Sequence, residues 1–202
     1  PVVIDVQLPS YTIDLDQLSD AITPDTKAIM VTHLNGSAND MGTIMEIANT
    51  RGLQVIEDTC DAIGSRFNGR YLGTWGHIAS MSFYAAHHMT TGEGGAVLTS
   101  DNDLLNHAIS LRDWGRSVRP DNLGETDLRR VEYQNASSEL PSDYEARFTY
   151  TTIGYNLKPL DMQGALGLAQ LGRIPQFTGM RQHNYSRLYQ GLKKHEQYFV
   201  CV

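Results

Sequence analysis

Short runs of strand character alternate with longer stretches of helical period along this chain. Residues 28–32 (AIMVT) follow a turn made by Thr23, Pro24, Asp25 and Thr26. Residues 41–50 carry a helical pattern closed by Arg51 and Gly52, a cationic last turn followed by a glycine stop. Residues 53–57 (LQVIE), 79–84 (ASMSFY) and 95–99 (GAVLT) have the length and composition of strands. Residues 101–112 predict an amphipathic helix, with Asp101 placed to cap it and Leu104, Leu105, Ala108, Ile109 and Leu111 on its apolar side. Strands separated by helices need crossover connections, which predicts a mostly parallel sheet covered on both faces.

Both ends of the chain look like strands. Residues 1–6 (PVVIDV) read as a buried strand and residues 198–202 (YFVCV) as the start of another, so the chain is expected to be a piece of something longer. The rhythm breaks over 117–147, which is polar and charged, contains Pro120, Asn122, Gly124 and Pro141, and has no period. Stretches that long without structure are functional or disordered. Two helical stretches follow between 162 and 192, the first bearing Gly164, Ala165, Gly167 and Ala169, small residues suited to close packing.

Composition narrows the class. With 16 Lys and Arg against 23 Asp and Glu the formal net charge is −7, and no basic tract is present. That balance argues against nucleic acid or an anionic membrane as partner. No apolar run approaches the ~18–20 residues that span a bilayer. Two cysteines, Cys60 and Cys201, make no disulfide scaffold, so the cytoplasm is the expected compartment, with no signal peptide.

Three places could carry chemistry. Glu57 and Asp58 end the run LQVIE, and in open α/β sheets ligands bind beyond the carboxyl ends of strands. Taken alone, this dipeptide reads better as a cap or loop carboxylate. The run Ser82-Phe83-Tyr84-Ala85-Ala86-His87-His88 leaves the strand ASMSF with a hydroxyl that can donate to a phosphate and imidazoles that can serve as acid or base. Neighbouring histidines point different ways, so at most one of them faces a given ligand. Thr91-Gly92-Glu93-Gly94-Gly95 permits close backbone approach but lacks the spacing and lysine of a phosphate loop, and reads equally as a turn between strands.

In order and together, these segments resemble the DegT/DnrJ/EryC1/StrS sugar aminotransferase/dehydratase family of fold-type I pyridoxal-phosphate enzymes. The run VIEDTCDAIGSRFNGRYLGTWGHIASMSFYAAHHMTTGEGGAVLTSD (55–101) carries the resemblance, and ITPDTKAIMVTHLNG (22–36) and IGYNLKPLDMQGALGLAQL (153–171) extend it. It implies a three-layer α/β/α large domain of the aspartate-aminotransferase type, incomplete at both ends. Residues 1–172 then belong to the cofactor-binding large domain, and 173–202 to a connecting helix and the start of a small domain. By the same resemblance Asp58 pairs with the pyridine nitrogen of the cofactor, Asp61 lies near its ring and 3-hydroxyl, and Ser82 bonds its phosphate. Asn156 reaches the phosphate held by a neighbouring subunit, which implies a homodimer with a shared site.

Two positions depart from the aminotransferase pattern. Asp61 stands where Gln or His is common, and His87 stands five residues after Ser82, where the lysine that binds the cofactor covalently belongs. The lysines of the chain are Lys27, Lys158, Lys193 and Lys194, none in this motif. The lysine-to-histidine exchange resembles the nucleotide-sugar 3-dehydratases, which use free pyridoxamine phosphate, and the segments DTCDA (58–62) and RDWGR (112–116) fit that branch. One kind of 3-dehydratase carries a [2Fe–2S] cluster on four cysteines; the other, whose members act on GDP-4-keto-6-deoxymannose, has no cluster and is recharged from glutamate. Cys60 occupies the first cluster position, but the stretch after RDWGR reads SVRPDN without cysteine, so no cluster is expected and Cys60 reads as a packed thiol. The expected reaction removes the C3 hydroxyl of a nucleotide-linked 4-keto-6-deoxy sugar, with His87 as the catalytic base. A nucleotide-sugar aminotransferase and a truncated non-catalytic homologue stand as alternatives.

Overall fold

The structure, a computed structural model, describes residues 1–118, 134–135 and 139–200. Most of the irregular 117–147 stretch and the pair Cys201 and Val202 lie outside the described residues. The chain forms two compact units, Pro1–Leu98 together with Asp161–Val202, and Thr99–Leu160.

The first unit is built on a four-stranded sheet. Its strands are β3 (Ala28–Thr32), β4 (Gln54–Asp58), β7 (Ile78–Ser82) and β8 (Gly95–Leu98), side by side in that order. The first three are parallel, and β8 is antiparallel to β7 with Ser82 opposite Gly95. Two short hairpins complete the strands: β1 (Val6–Gln7) with β2 (Thr12–Ile13), and β5 (Arg66–Phe67) with β6 (Arg70–Tyr71).

Helix α1 (Leu15–Ala21) starts at Asp14, which accepts from the amides of Asp16 and Gln17. Helix α2 (Met41–Arg51) makes the crossover from β3 to β4. It is capped by Asp40 and stopped by Gly52, whose left-handed conformation (φ 64°) lets its N–H close onto Ala48 and Asn49. The buried face of α2, Met41, Ile44 and Ala48, packs with Ile29 and Val31 of β3 and with Leu53 and Val55. Burial of aliphatic side chains at about 1.5–3 kcal/mol each is what fastens the crossover to the sheet.

Alternation along β3 puts Ile29 and Val31 inside and leaves Met30 62% exposed, so the cover expected on both faces is present on one face of this strand. After β8 the unit resumes with α4 (Asp161–Leu171) and α5 (Ile174–Lys193). Of the four small residues noted on α4, only Gly167 is buried, close to Thr91 and Met89; Gly164, Ala165 and Ala169 face outward.

The second unit holds α3 (Asn102–Arg112), capped as the sequence predicts by Asp101, which accepts from Asp103 and Leu104 amides. The segments RDWGR and IGYN pack backbone to backbone here. Trp114 donates to Tyr155 O, Tyr155 donates to Leu111 O, and Thr151 donates to Gly115 O. Gly115 has φ +85°, and a Cβ at that position would fall on the carbonyl of Thr152. The crossing is therefore closed to any side chain.

Both terminal strand expectations need correction. Residues 1–5 form no strand and are mostly exposed, because only Val6 and Gln7 find a partner strand, Thr12–Ile13. Residues 198–200 are likewise not extended into a sheet. A run of strand-like residues becomes a strand only where another backbone can pair with it.

Candidate active site

The parallel strands end together, and the acidic pair that closes β4 is divided by the pleat. Successive side chains point to opposite faces. Glu57 turns inward and is fully buried, accepting from the amides of Gly73 (2.7 Å), Trp75 (2.7 Å) and Gly76 (2.6 Å) and bonding His33 Nε2 at 3.2 Å. Burial alone would push its carboxyl up. The His33 contact and the three amides outweigh that and hold it below its ordinary value of 4.5. Glu57 is structural.

Asp58 turns to the other face and is half-buried. Its Oδ1 accepts from the Cys60 amide at 3.1 Å and from the Ser80 hydroxyl at 3.4 Å, while among the described residues nothing donates to Oδ2. Parallel pairing sets Asp58 opposite Ser80 on β7. Ser82, two residues further, shares the face of Ser80. One face at the carboxyl end of the sheet thus presents a fixed carboxylate with a free oxygen and, beside it, two hydroxyls.

The segment after β7 folds back as a closed loop. Phe83 donates to Gly94 O and accepts from the Thr91 amide, both at 2.9 Å. Ser82 Oγ accepts from the Tyr84 amide at 3.2 Å, which leaves its hydroxyl hydrogen available to a ligand. Within the loop the amide of His87 closes a turn onto Tyr84 O, and the two rings meet edge to face with centroids 6.2 Å apart. His87 Nδ1 lies 3.0 Å from Asp61 Oδ1, the side chains 22% and 40% exposed. The structure thus brings together Asp61 and His87, which are 26 residues apart in sequence.

His88 takes different surroundings. It is half-buried, and its Nδ1 is buried with no partner among the described residues. Burial first, and the Arg181 cation second, push its pKa below the ordinary 6.5, so its ring is neutral near pH 7. Cys60 is half-buried with Sγ 3.9 Å from Ser80 Oγ; burial and then neighbouring Asp58 push its thiol up, which makes it an unreactive thiol. Asn156 belongs to the second unit, where it is exposed and its backbone bridges to Asp113.

Three features escape a reading of motifs. Ser80 braces Asp58, and its signal is the two-residue spacing to Ser82 in ASMSF. Tyr84 flanks the His87 ring, with no signal beyond being three residues earlier. Glu57, taken with Asp58 as a cap or loop carboxylate, is instead the end of a buried network through His33 and Asn39.

The donor set fits a pyridoxal-type cofactor. A ring nitrogen that must stay protonated needs a carboxylate, and Asp58 Oδ2 is uncommitted. A phosphate needs donors, and the Ser82 hydroxyl on the same face retains its hydrogen. Replacing it by Ser82→Ala is expected to weaken pyridoxal phosphate binding roughly five- to 150-fold, about 1–3 kcal/mol for a charge-assisted hydrogen bond, measured by calorimetric titration. Unchanged affinity removes Ser82 from the site.

Comparison with known proteins gives a consistent picture. The family model described as the DegT/DnrJ/EryC1/StrS aminotransferase family matches residues 1–202. The lipopolysaccharide biosynthesis protein RfbH of Salmonella typhimurium is 44% identical over 96% of this chain and 44% of its own length. A dTDP-4-dehydro-2,6-dideoxy-D-glucose 3-dehydratase from Saccharopolyspora spinosa is 42% identical over 95% of this chain and 41% of its own. The solved structure of E. coli GDP-4-keto-6-deoxy-D-mannose-3-dehydratase with bound hydrated PLP superposes with a TM-score of 0.78 at 31% identity, covering 95% of this chain and 47% of that one. Enzymes named as aminotransferases and as perosamine synthases are also among the matches. The chain spans less than half the length of the curated relatives it matches.

Proposed function

Because the chain belongs to the DegT/DnrJ/EryC1/StrS aminotransferase family, a family of pyridoxal-phosphate-dependent enzymes, we propose that its gene product is a pyridoxamine-phosphate-dependent 3-dehydratase. Its substrate is a nucleotide-linked 4-keto-6-deoxy sugar, and its setting is deoxysugar biosynthesis of the kind that supplies lipopolysaccharide. One observation carries this reading: where a covalent cofactor link needs an amine, an imidazole stands at His87, held 3.0 Å from Asp61, and the four lysines of the chain lie in other elements. Relatives named as 3-dehydratases lend it support.

Each residue then has a task. Asp58 keeps the proton on the ring nitrogen of the cofactor by its negative charge. Ser82 donates to the phosphate. When bound, the cofactor supplies an electron-accepting ring and an amine that engages the C4 ketone of the sugar. His87 takes a proton at the cofactor C4′ carbon and returns it to the oxygen departing from C3. An imidazole can serve as both base and acid.

The product works as a homodimer, with Asn156 reaching the phosphate held by the second subunit and glutamate serving as the amino donor. Exposed apolar side chains on the two long helices, Met162 and Leu168 on α4 and Leu188 on α5, are surface for such an association. Among the described residues no helix is long and apolar enough to cross a membrane; the cytoplasm is the compartment proposed from the two cysteines of the chain.

The aminotransferase alternative makes an opposite chemical demand, so one experiment separates them. The complete gene product, incubated with pyridoxal phosphate, is treated with borohydride and mapped by peptide mass. No phosphopyridoxyl-lysine is expected; a stable adduct on a lysine overturns the dehydratase reading.

A further inference from the structure

Of Asp58 and Asp61, only Asp61 touches the imidazole. We propose that Asp61 is a positioning residue that acts through His87 rather than on the cofactor directly: it fixes which ring nitrogen of His87 carries the proton. This rests on the dehydratase reading above and deepens it.

The argument begins with what surrounds the ring. Asp61 Oδ1 sits 3.0 Å from Nδ1, and a carboxylate can only accept, so Nδ1 carries a hydrogen. The Tyr84 ring flanks the imidazole edge to face, and the turn from His87 N to Tyr84 O anchors its backbone. Among the described residues nothing bonds Nε2. The imidazole is thus held on one nitrogen and free on the other, which is the condition for a base that must present a lone pair in a fixed direction. A hydrogen bond this exposed contributes little to stability. The value of the contact therefore lies in orientation and tautomer. The two departures from the aminotransferase pattern, at 61 and at 87, are one hydrogen-bonded unit: a lysine amine has no tautomer to select, whereas an imidazole does.

The test reads the tautomer first, on cofactor-free protein. Nitrogen-15 NMR of labelled histidine, with the His87 signal assigned by its loss in His87→Asn, is expected to show protonated Nδ1 and unprotonated Nε2. In Asp61→Asn the amide can donate to Nδ1, and the Nδ1–H population is expected to fall. With cofactor and substrate, Asp61→Asn is expected to lower kcat for dehydration by about 10²–10⁴-fold, with KM and cofactor affinity within a few-fold of the parent. Asp61→Glu, which keeps an acceptor, restores the tautomer and part of the rate. An unchanged tautomer in Asp61→Asn overturns the pairing whatever the rates. An unchanged kcat in Asp61→Asn, with His87→Asn inactive, overturns the positioning role while the dehydratase reading stands. Full dehydration by His87→Asn overturns His87 as the base and with it the positioning role of Asp61, whereas absence of C3 dehydration in the unsubstituted protein overturns the dehydratase reading itself.

Discussion

His87→Asn, made in the complete gene product, is expected on the proposed reading to lower C3 dehydration by about 10²–10⁴-fold or more while leaving pyridoxamine phosphate bound. The amide can still hydrogen-bond Asp61, so the loop that carries residue 87 keeps its anchor. It cannot accept and return a proton near neutral pH, so the step at C4′ loses its base. His87→Lys gives a different failure. It introduces an amine where the sequence has an imidazole, and that amine is expected to condense with the aldehyde of added pyridoxal phosphate. Borohydride then fixes the cofactor to position 87, which peptide mass mapping detects, and dehydration falls. His88→Ala is the control: its ring is neutral and lacks the Asp61 contact, and most activity is expected to survive. If His88→Ala is dead and His87→Asn active, the wrong histidine has been assigned.

Glu57→Gln is expected to destabilise the fold by several kcal/mol, at about 1–3 kcal/mol for each buried donor left without an acceptor. The reasoning runs through the whole network. The Asn39 amide nitrogen donates to Thr32 O and lies 3.2 Å from His33 Nδ1, which the backbone amide of Asn39 also approaches. Two donors on Nδ1 make it the acceptor, so Nε2 carries the hydrogen and gives it to Glu57 Oε2. Three backbone amides take up the rest of the carboxylate. Glutamine offers one oxygen, and its NH₂ must face either Trp75 and Gly76 or Gly73 and His33, donor against donor. Urea unfolding checks this, and a change below 1 kcal/mol contradicts it.

The same carboxylate leaves a mark on acid stability. Its folded pKa is lower than the ordinary 4.5, so the unfolded chain binds the proton more readily. The stabilisation is complete above about pH 4.5 and declines as pH falls from there through the lower folded value. Glu57→Gln should flatten that part of the pH profile.

What could be read from the sequence was local. Asp101, Gly52 and the Thr23-to-Thr26 turn announce themselves because a cap or stop is decided by residues a few positions away. The parallel strands follow from their composition and the helix between β3 and β4. His33, Asn39 and Glu57 were not legible, since polar residues far apart in sequence give no sign that they will meet in a dry interior. Nor was the contact of Asp61 with His87; each stood out as a departure, and only folding shows that they touch. Residues 1–5 misled in the opposite direction, offering strand character without a backbone to pair with.

Consecutive residues of β4 serve opposite sides of the sheet, Glu57 inside and Asp58 at the ligand face, and this makes the strand intolerant of a change in length. A one-residue insertion or deletion ahead of Glu57 exchanges the two environments, because strand side chains repeat every second residue. A carboxylate would still arrive at each face. It would arrive one peptide out of step, with the amides of Gly73, Trp75 and Gly76 and the hydroxyl of Ser80 arranged for the neighbour. Point substitutions elsewhere on the strand test packing alone, whereas a frame slip here removes the structural anchor and the carboxylate proposed to face the cofactor in a single event. Natural variation in the length of this chain should therefore accumulate in its loops and spare β4.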